Sequence, residues 1–144
     1  MNDSAPTRPA PMSFLMLGAA HEMEEHLETA LGRIGLSLAK FRALSHLAEL
    51  KDPVPLSALA DRCSCVRSNM TQLVDRLEAD RLVERVSDPT DRRSVRAALT
   101  EEGWKRHAEG VRILGEMEAR LFGHLEESDK AALSRLVQLL KSQS

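Results

Sequence analysis

The side chains with the most evident chemistry sit in the middle of this 144-residue chain. Arg81, Arg85, Arg92, Arg93 and Arg96 fall in or just before the run RVSDPTDRRSVRAALTEEG, residues 85–103. A little upstream, Arg67, Ser68, Asn69, Thr71, Gln72 and Arg76 crowd one short stretch. A guanidinium can bond bidentately to phosphate or guanine, and a carboxamide to adenine. No nucleophile–base pair, glycine-rich phosphate loop or two-histidine metal motif accompanies them. The chemistry offered is hydrogen-bonded recognition, and the chain reads as a non-enzyme with no cofactor.

Two further groups carry reactive atoms. Cys63 and Cys65 are the only cysteines. They read either as inert members of a small core or as a redox pair, since Arg62, Arg67 and a following helix N-terminus would lower a thiol pKa. The strained geometry of a disulfide two residues apart favours the first reading. A metal site with His46 or His107 ranks lower, because no C-x-x-C spacing is present. His21 and Glu25, with His26 beside them, could share a cation, but an exposed acidic helix explains them as well; no metal is expected.

Composition limits what these groups can belong to. The length suits one domain. Three Phe, one Trp and no Tyr favour helices over a β-sandwich. Net charge is −2, so any basic surface is local. Residues 62–96 hold eight Arg (62, 67, 76, 81, 85, 92, 93, 96) against six acids (75, 78, 80, 84, 88, 91), a surplus of +2. Residues 12–50 hold Arg33, Lys40 and Arg42 against five Glu, a balance of −2. Taken without its surroundings, the mixed run would read as a solvated, salt-bridged face. No apolar run approaches the ~18–20 residues that span a bilayer. MNDSAPTRPAP reads as a disordered arm (1–11) rather than a secretory leader, and a cytoplasmic protein with no membrane partner is expected.

The elements that must position these groups follow from periodicity. Residues 12–34 read as a helix, with Leu17, Ala20, Leu27, Leu31 and Ile34 at helical intervals. Ser37 caps a second helix that runs to about Leu50 and ends at KDPVP. PLSALADRC reads as a short helix, with Ser57 or the residues before it near the cap. SC forms a joint, and VRSNMTQLVDRLEAD a longer helix burying Met70, Leu73, Val74 and Leu77. LVERV and RAALT read as strands around the turn-rich SDPTDRRS, with Asp88-Pro89 marking the turn. Thr100, with Glu101 and Glu102, starts a helix extending to about Leu125. Ser128-Asp129 starts the last one. A short and a longer helix across a tight joint, followed at once by a hairpin, form a winged helix-turn-helix.

Three stretches sharpen this. GLSLAKFRALSHLAEL, PLSALADRCSCVRSNMTQLVDRLEADRLVERV and DPTDRRSVRAALTEEG together resemble the MarR family of winged helix-turn-helix transcriptional regulators. Asp91, Arg93, Leu99, Thr100 and Gly103 stand where that family's wing signature has them. The resemblance implies a mainly α fold with a small β-hairpin wing, dimerising through its N- and C-terminal helices. The DNA-binding lobe would span 35–100, and helices at 12–34 and 101–144 would form the dimerisation region. It also implies that the longer helix enters the major groove. Arg67, Ser68, Asn69, Thr71 and Gln72 would lie at base edges and Arg76 at phosphate. Arg93 would lie in the minor groove, held by Asp91 through a charge-assisted hydrogen bond, with Arg92 on a phosphate. Asn69 and Thr71 have the alternative of merely capping or solvating the helix. Two positions depart from the family. Val66 replaces a small polar cap, leaving Ser64 to cap in its stead, and Arg81 replaces a glycine suited to a left-handed helix end.

The amphipathic termini (Phe14, Leu15 and Leu17; Leu133, Leu136, Leu139 and Leu140) are read as a homodimer interface rather than a face packed on the fifth helix. The function expected is a DNA-binding regulator, a repressor on a pseudo-palindromic operator, released by a small-molecule effector. The alternatives are a redox-responsive regulator through Cys63 and Cys65, and a helical dimerisation protein that binds no DNA.

Overall fold

The computed structural model describes residues 9–91 and 93–143. Helices α1 (Met12–Gly32) and α2 (Leu38–Leu50) are followed by strand β1 (Val54–Pro55), then α3 (Leu56–Arg62) and α4 (Arg67–Ala79). Strands β2 (Val83–Ser87) and β3 (Val95–Leu99) form the hairpin, and α5 (Glu101–Phe122) and α6 (Glu127–Lys141) complete the described chain.

The expected two-stranded hairpin is part of a three-stranded antiparallel sheet in the order β1-β3-β2. The two residues of β1 pair Val54 with Ala97 and Pro55 with Arg96. Proline lacks a donor and is tolerated here because β1 is an edge strand. Val54 anchors the pairing by being buried. The segment expected only to end a helix therefore also fastens the wing to the body.

Leu44, Leu47, Leu59, Met70, Val74, Leu77, Leu82, Val83 and Ala97 are buried together, so one core lies between α2, α3, α4 and the sheet. Ser37 caps α2 by accepting from the Lys40 N–H at 3.1 Å. Thr100 caps α5, accepting from the Gly103 N–H at 3.0 Å. The same hydroxyl donates to the Arg81 carbonyl at 2.7 Å, so the start of α5 is tied to the end of the helix-turn-helix. Glycine is required at 103, where a Cβ would stand 2.0 Å from the Leu82 carbonyl oxygen.

Several boundaries differ from expectation. Of the two starts allowed for the short helix, the earlier holds: Pro55 is at the cap, without a side-chain hydrogen bond, and Ser57 lies inside the helix. Ser64 does not cap α4. It occupies the left-handed region at φ 51°, turning the joint, and Val66 stands at the cap without a capping hydrogen bond. Arg81 adopts φ 60°, the left-handed helix end for which glycine is the usual choice. The fifth helix stops at Phe122 rather than about Leu125, and the sixth starts at Glu127.

The terminal helices contribute little to this core. In α1 only Ala30 and Leu31 are buried, and no residue of α6 is. The apolar residues of α6 are therefore not packed away on α5.

Candidate nucleic-acid interface

The α3–α4 unit is set by its joint. Cys65 N–H donates to the Ala60 carbonyl at 2.9 Å and Ser64 N–H to the Asp61 carbonyl at 3.2 Å, closing the turn. Helix α4 then buries Met70, Val74 and Leu77. With that stripe turned inward, Arg67, Ser68, Asn69, Thr71, Gln72 and Arg76 are all exposed. The Thr71 hydroxyl donates to the Arg67 carbonyl at 3.0 Å, so its proton is engaged within the helix.

The wing brings a second set of groups to the same side. A cleft between the start of α4 and the wing is lined by Pro55, Leu56, Ser57, Arg67, Thr71, Asp91, Arg93, Ser94 and Val95. Four of the residues named from sequence, Arg67, Thr71, Asp91 and Arg93, thus meet in one place. Ser68, Asn69, Gln72 and Arg76 lie on α4 outside this cleft. The sequence reading missed Ser57, Ser94 and Val95. Their place depends on β1 drawing the first turn of α3 beside the wing, and only the apolar pair Val54-Pro55 hinted at that strand.

Asp91 does not hold Arg93 as expected. Its carboxylate accepts from the Arg93 main-chain N–H at 2.9 Å, while the Ser94 N–H donates to the Asp91 carbonyl at 3.1 Å. Two residues apart in a tight turn, the main-chain N–H is the donor within easy reach. Asp91 therefore shapes the wing tip and leaves the guanidinium free of it. Arg92 lies outside the described residues.

The remaining arginines divide by partner. Arg85 reaches back from β2 to Asp75 and to Glu78 (3.2 Å) on α4. The Asp75 hydrogen bond outweighs desolvation and raises its pKa. Arg96 donates to Asp88 at 3.0 and 3.3 Å and to the Pro53 carbonyl at 3.4 Å. Asp88 is buried and also accepts from the N–H and hydroxyl of Thr90. Those Thr90 bonds, then Arg96, hold its carboxyl at about pKa 2. Arg62 faces Glu49 at 3.6 Å. Among the described residues, Arg67, Arg76 and Arg93 form no ion pair.

The other reactive groups are placed differently. Cys63 and Cys65 are free thiols, both half-buried against the core. Burial, then the neighbouring Cys65, pushes the Cys63 thiol up; Arg42, rather than the flanking arginines, pulls it down and does not prevail. A thiolate is the reactive form, so this environment opposes reactivity. His107 stacks on Phe41 with ring centroids 5.8 Å apart, and His46 Nδ1 lies 4.0 Å from Glu49. His21 and Glu25 form an exposed pair at 3.3 Å. Among the described residues no group of three or more His, Cys, Asp or Glu side chains is arranged to hold a metal ion, and no helix is long and apolar enough to cross a membrane.

Residues 34–94 match the sequence pattern of the MarR family. That stretch, from just past the end of α1 into the wing, is similar to MarR-family sequences. Over 91 residues it is 32% identical to the HTH-type transcriptional regulator MhqR of Bacillus subtilis (strain 168), covering 62% of each chain. The match therefore spans about three fifths of that curated relative. The fold is similar to that of S. aureus MepR in a MepR–DNA complex, with a TM-score of 0.84 at 24% identity over 93% of this chain and 99% of that one. It is also similar to CouR from Rhodococcus jostii RHA1 bound to p-coumaroyl-CoA, with a TM-score of 0.78 at 25% identity over 90% of each chain. The shared architecture is helices and a small antiparallel sheet that make a winged helix-turn-helix.

Proposed function

We propose that this chain is a MarR-type, sequence-specific DNA-binding transcriptional regulator, acting as a repressor at a pseudo-palindromic operator. The observation that carries the reading is the division of the arginines. Arg62, Arg85 and Arg96 are occupied by carboxylates, whereas Arg67 on α4 and Arg93 on the wing converge on one cleft without an ion pair among the described residues, the cleft's one carboxylate, Asp91, being engaged with the Arg93 main-chain N–H. Cations held together without partners fit a polyanion. In this reading α4 lies in the major groove and presents Arg67, Ser68, Asn69, Thr71 and Gln72 to base edges, with Arg76 at a phosphate. Arg93 enters the adjacent minor groove, and Asp91 fixes the turn that aims it.

The working form is a homodimer. Met12, Phe14, Leu15, Met16 and Leu17 on α1 are exposed, as are Leu133, Leu136, Leu139 and Leu140 on α6. Met12 and Met16 share an apolar hollow with the α6 leucines. A contiguous exposed apolar face of this kind marks an association surface. A small organic effector, seated between the terminal helices and the DNA-binding lobe, favours a dimer whose two α4 helices are wrongly spaced, and so releases DNA. The binding of p-coumaroyl-CoA by CouR supports this class of ligand.

Binding to the duplex flanking the chain's own gene, followed by gel shift across a salt series, tests the proposal. A dimer neutralising about six to eight phosphates gives a slope of log K against log[salt] of about −5 to −7. A slope near zero removes the proposed basic surface.

A further inference from the structure

Val66 breaks two local rules at once. It occupies the N-cap of α4, with φ −70° and ψ 149°, and its side chain makes no capping hydrogen bond. Valine is among the poorest N-cap residues, and serine, threonine, asparagine or aspartate would each stabilise the helix there. Nor does burial repay the choice, since Val66 is 62% exposed although it directly precedes a helix with a well-filled core stripe. An isolated exposed valine is ordinary. One placed where both capping and burial are forgone is a local inconsistency of the kind found at functional positions.

Its surroundings indicate what it meets. Val66 leads the turn carrying Arg67, Ser68 and Asn69, all exposed, and Arg67 lines the cleft shared with Arg93. In a helix-turn-helix the first residues of the recognition helix approach base edges most closely. The major groove offers one apolar group there, the C5-methyl of thymine. We infer that Val66 is a specificity residue which packs against a thymine methyl in each half-site. The inference rests on the DNA-binding reading above and names one feature of its target.

The test removes the methyl and nothing else. An operator is selected with the full chain from a random duplex pool, and each thymine is replaced by uracil, symmetrically in both half-sites. Affinity is then measured by fluorescence anisotropy. Wild type is expected to lose about fourfold per half-site at one thymine position, the value of one buried methyl-sized group. Val66→Ser is expected to bind the thymine and uracil duplexes equally at that position. Its melting temperature should be no lower than wild type, because serine caps the helix. Val66→Ala, which adds no hydroxyl to contact DNA, is expected to lose the discrimination as well. Indifference of wild type to every replacement, or wild-type discrimination retained by both variants, overturns the inference while leaving salt-dependent DNA binding intact. Absence of any salt-dependent duplex binding overturns the DNA-binding reading, and this inference falls with it.

Discussion

Arg85 turns from β2 toward Asp75 and Glu78 of α4, whereas Arg93, on the same hairpin, reaches into a cleft that holds no ion pair for it. Arg93→Ala is therefore expected to weaken binding to the operator and to other A·T-rich DNA alike, and to reduce the salt slope by about 1 per protomer. Gln72→Ala is expected to cost about 1–3 kcal/mol per half-site on the operator and little on unrelated DNA, with the slope nearly unchanged. Titrations of both duplexes over a salt series separate the two. Asp88 gives a different signature. Its carboxyl sits at about pKa 2, below the ordinary 3.8. The unfolded chain therefore takes up that proton more readily. The stability Asp88 contributes is present above about pH 4 and lost as pH falls toward 2. Melts from pH 5 to pH 2 should fall more steeply for wild type than for Asp88→Asn. Residue types and wing order were legible in the sequence, and they pointed to Arg93 and Arg67 as candidates, which the fold brings to one cleft. The partners of Arg85 and Arg96 were not, because ion pairing depends on which carboxylates the β2–β3 register and the α4 face bring within reach.

Helix boundaries were legible wherever a cap is local. Ser37 and Thr100 act on N–H groups three residues on, and both stand where the sequence put them. Strand β1 was not legible, because two residues carry no periodicity and their pairing with β3 is long-range. The joint was misread for a related reason. Ser64 is a good cap in isolation, but closing the turn onto Ala60 and Asp61 takes it into the left-handed region. The contact of α5 with the end of the helix-turn-helix makes a separate prediction. Gly103→Ala drives a Cβ to 2.0 Å from a main-chain oxygen, so neither group can rotate away. A loss of about 3 kcal/mol, at the upper end of overpacking penalties, is expected in denaturant titrations. Gly115→Ala, whose Cβ meets nothing within 4 Å, should instead gain up to ~1 kcal/mol in helix propensity.

At the scale of the molecule, the lobe that holds the core and the helices that lack one are both written in the sequence, but only the first is satisfied within the chain. The amphipathic stripes of α1 and α6 were visible from spacing alone, whereas their failure to pack inward appears only when the helices are placed. Sedimentation at micromolar concentration is expected to show a dimer, and a single 16.0 kDa species would count against it. Deleting residues 126–144 should yield aggregate or unfolded monomer, since it strips the apolar face of α6 while leaving that of α1 exposed. The Thr100 hydroxyl, by capping α5 and gripping the Arg81 carbonyl, makes the junction stiff. A 22-residue helix is about 33 Å long. With one end clamped to the sheet and recognition unit, α5 becomes a lever arm. A tilt of only ~10° at its far end carries the near end through roughly 6 Å, more than the ~3.4 Å step between stacked bases. On the DNA-binding reading proposed above, a small change among the terminal helices would be geared up into a whole base-pair misalignment at the DNA.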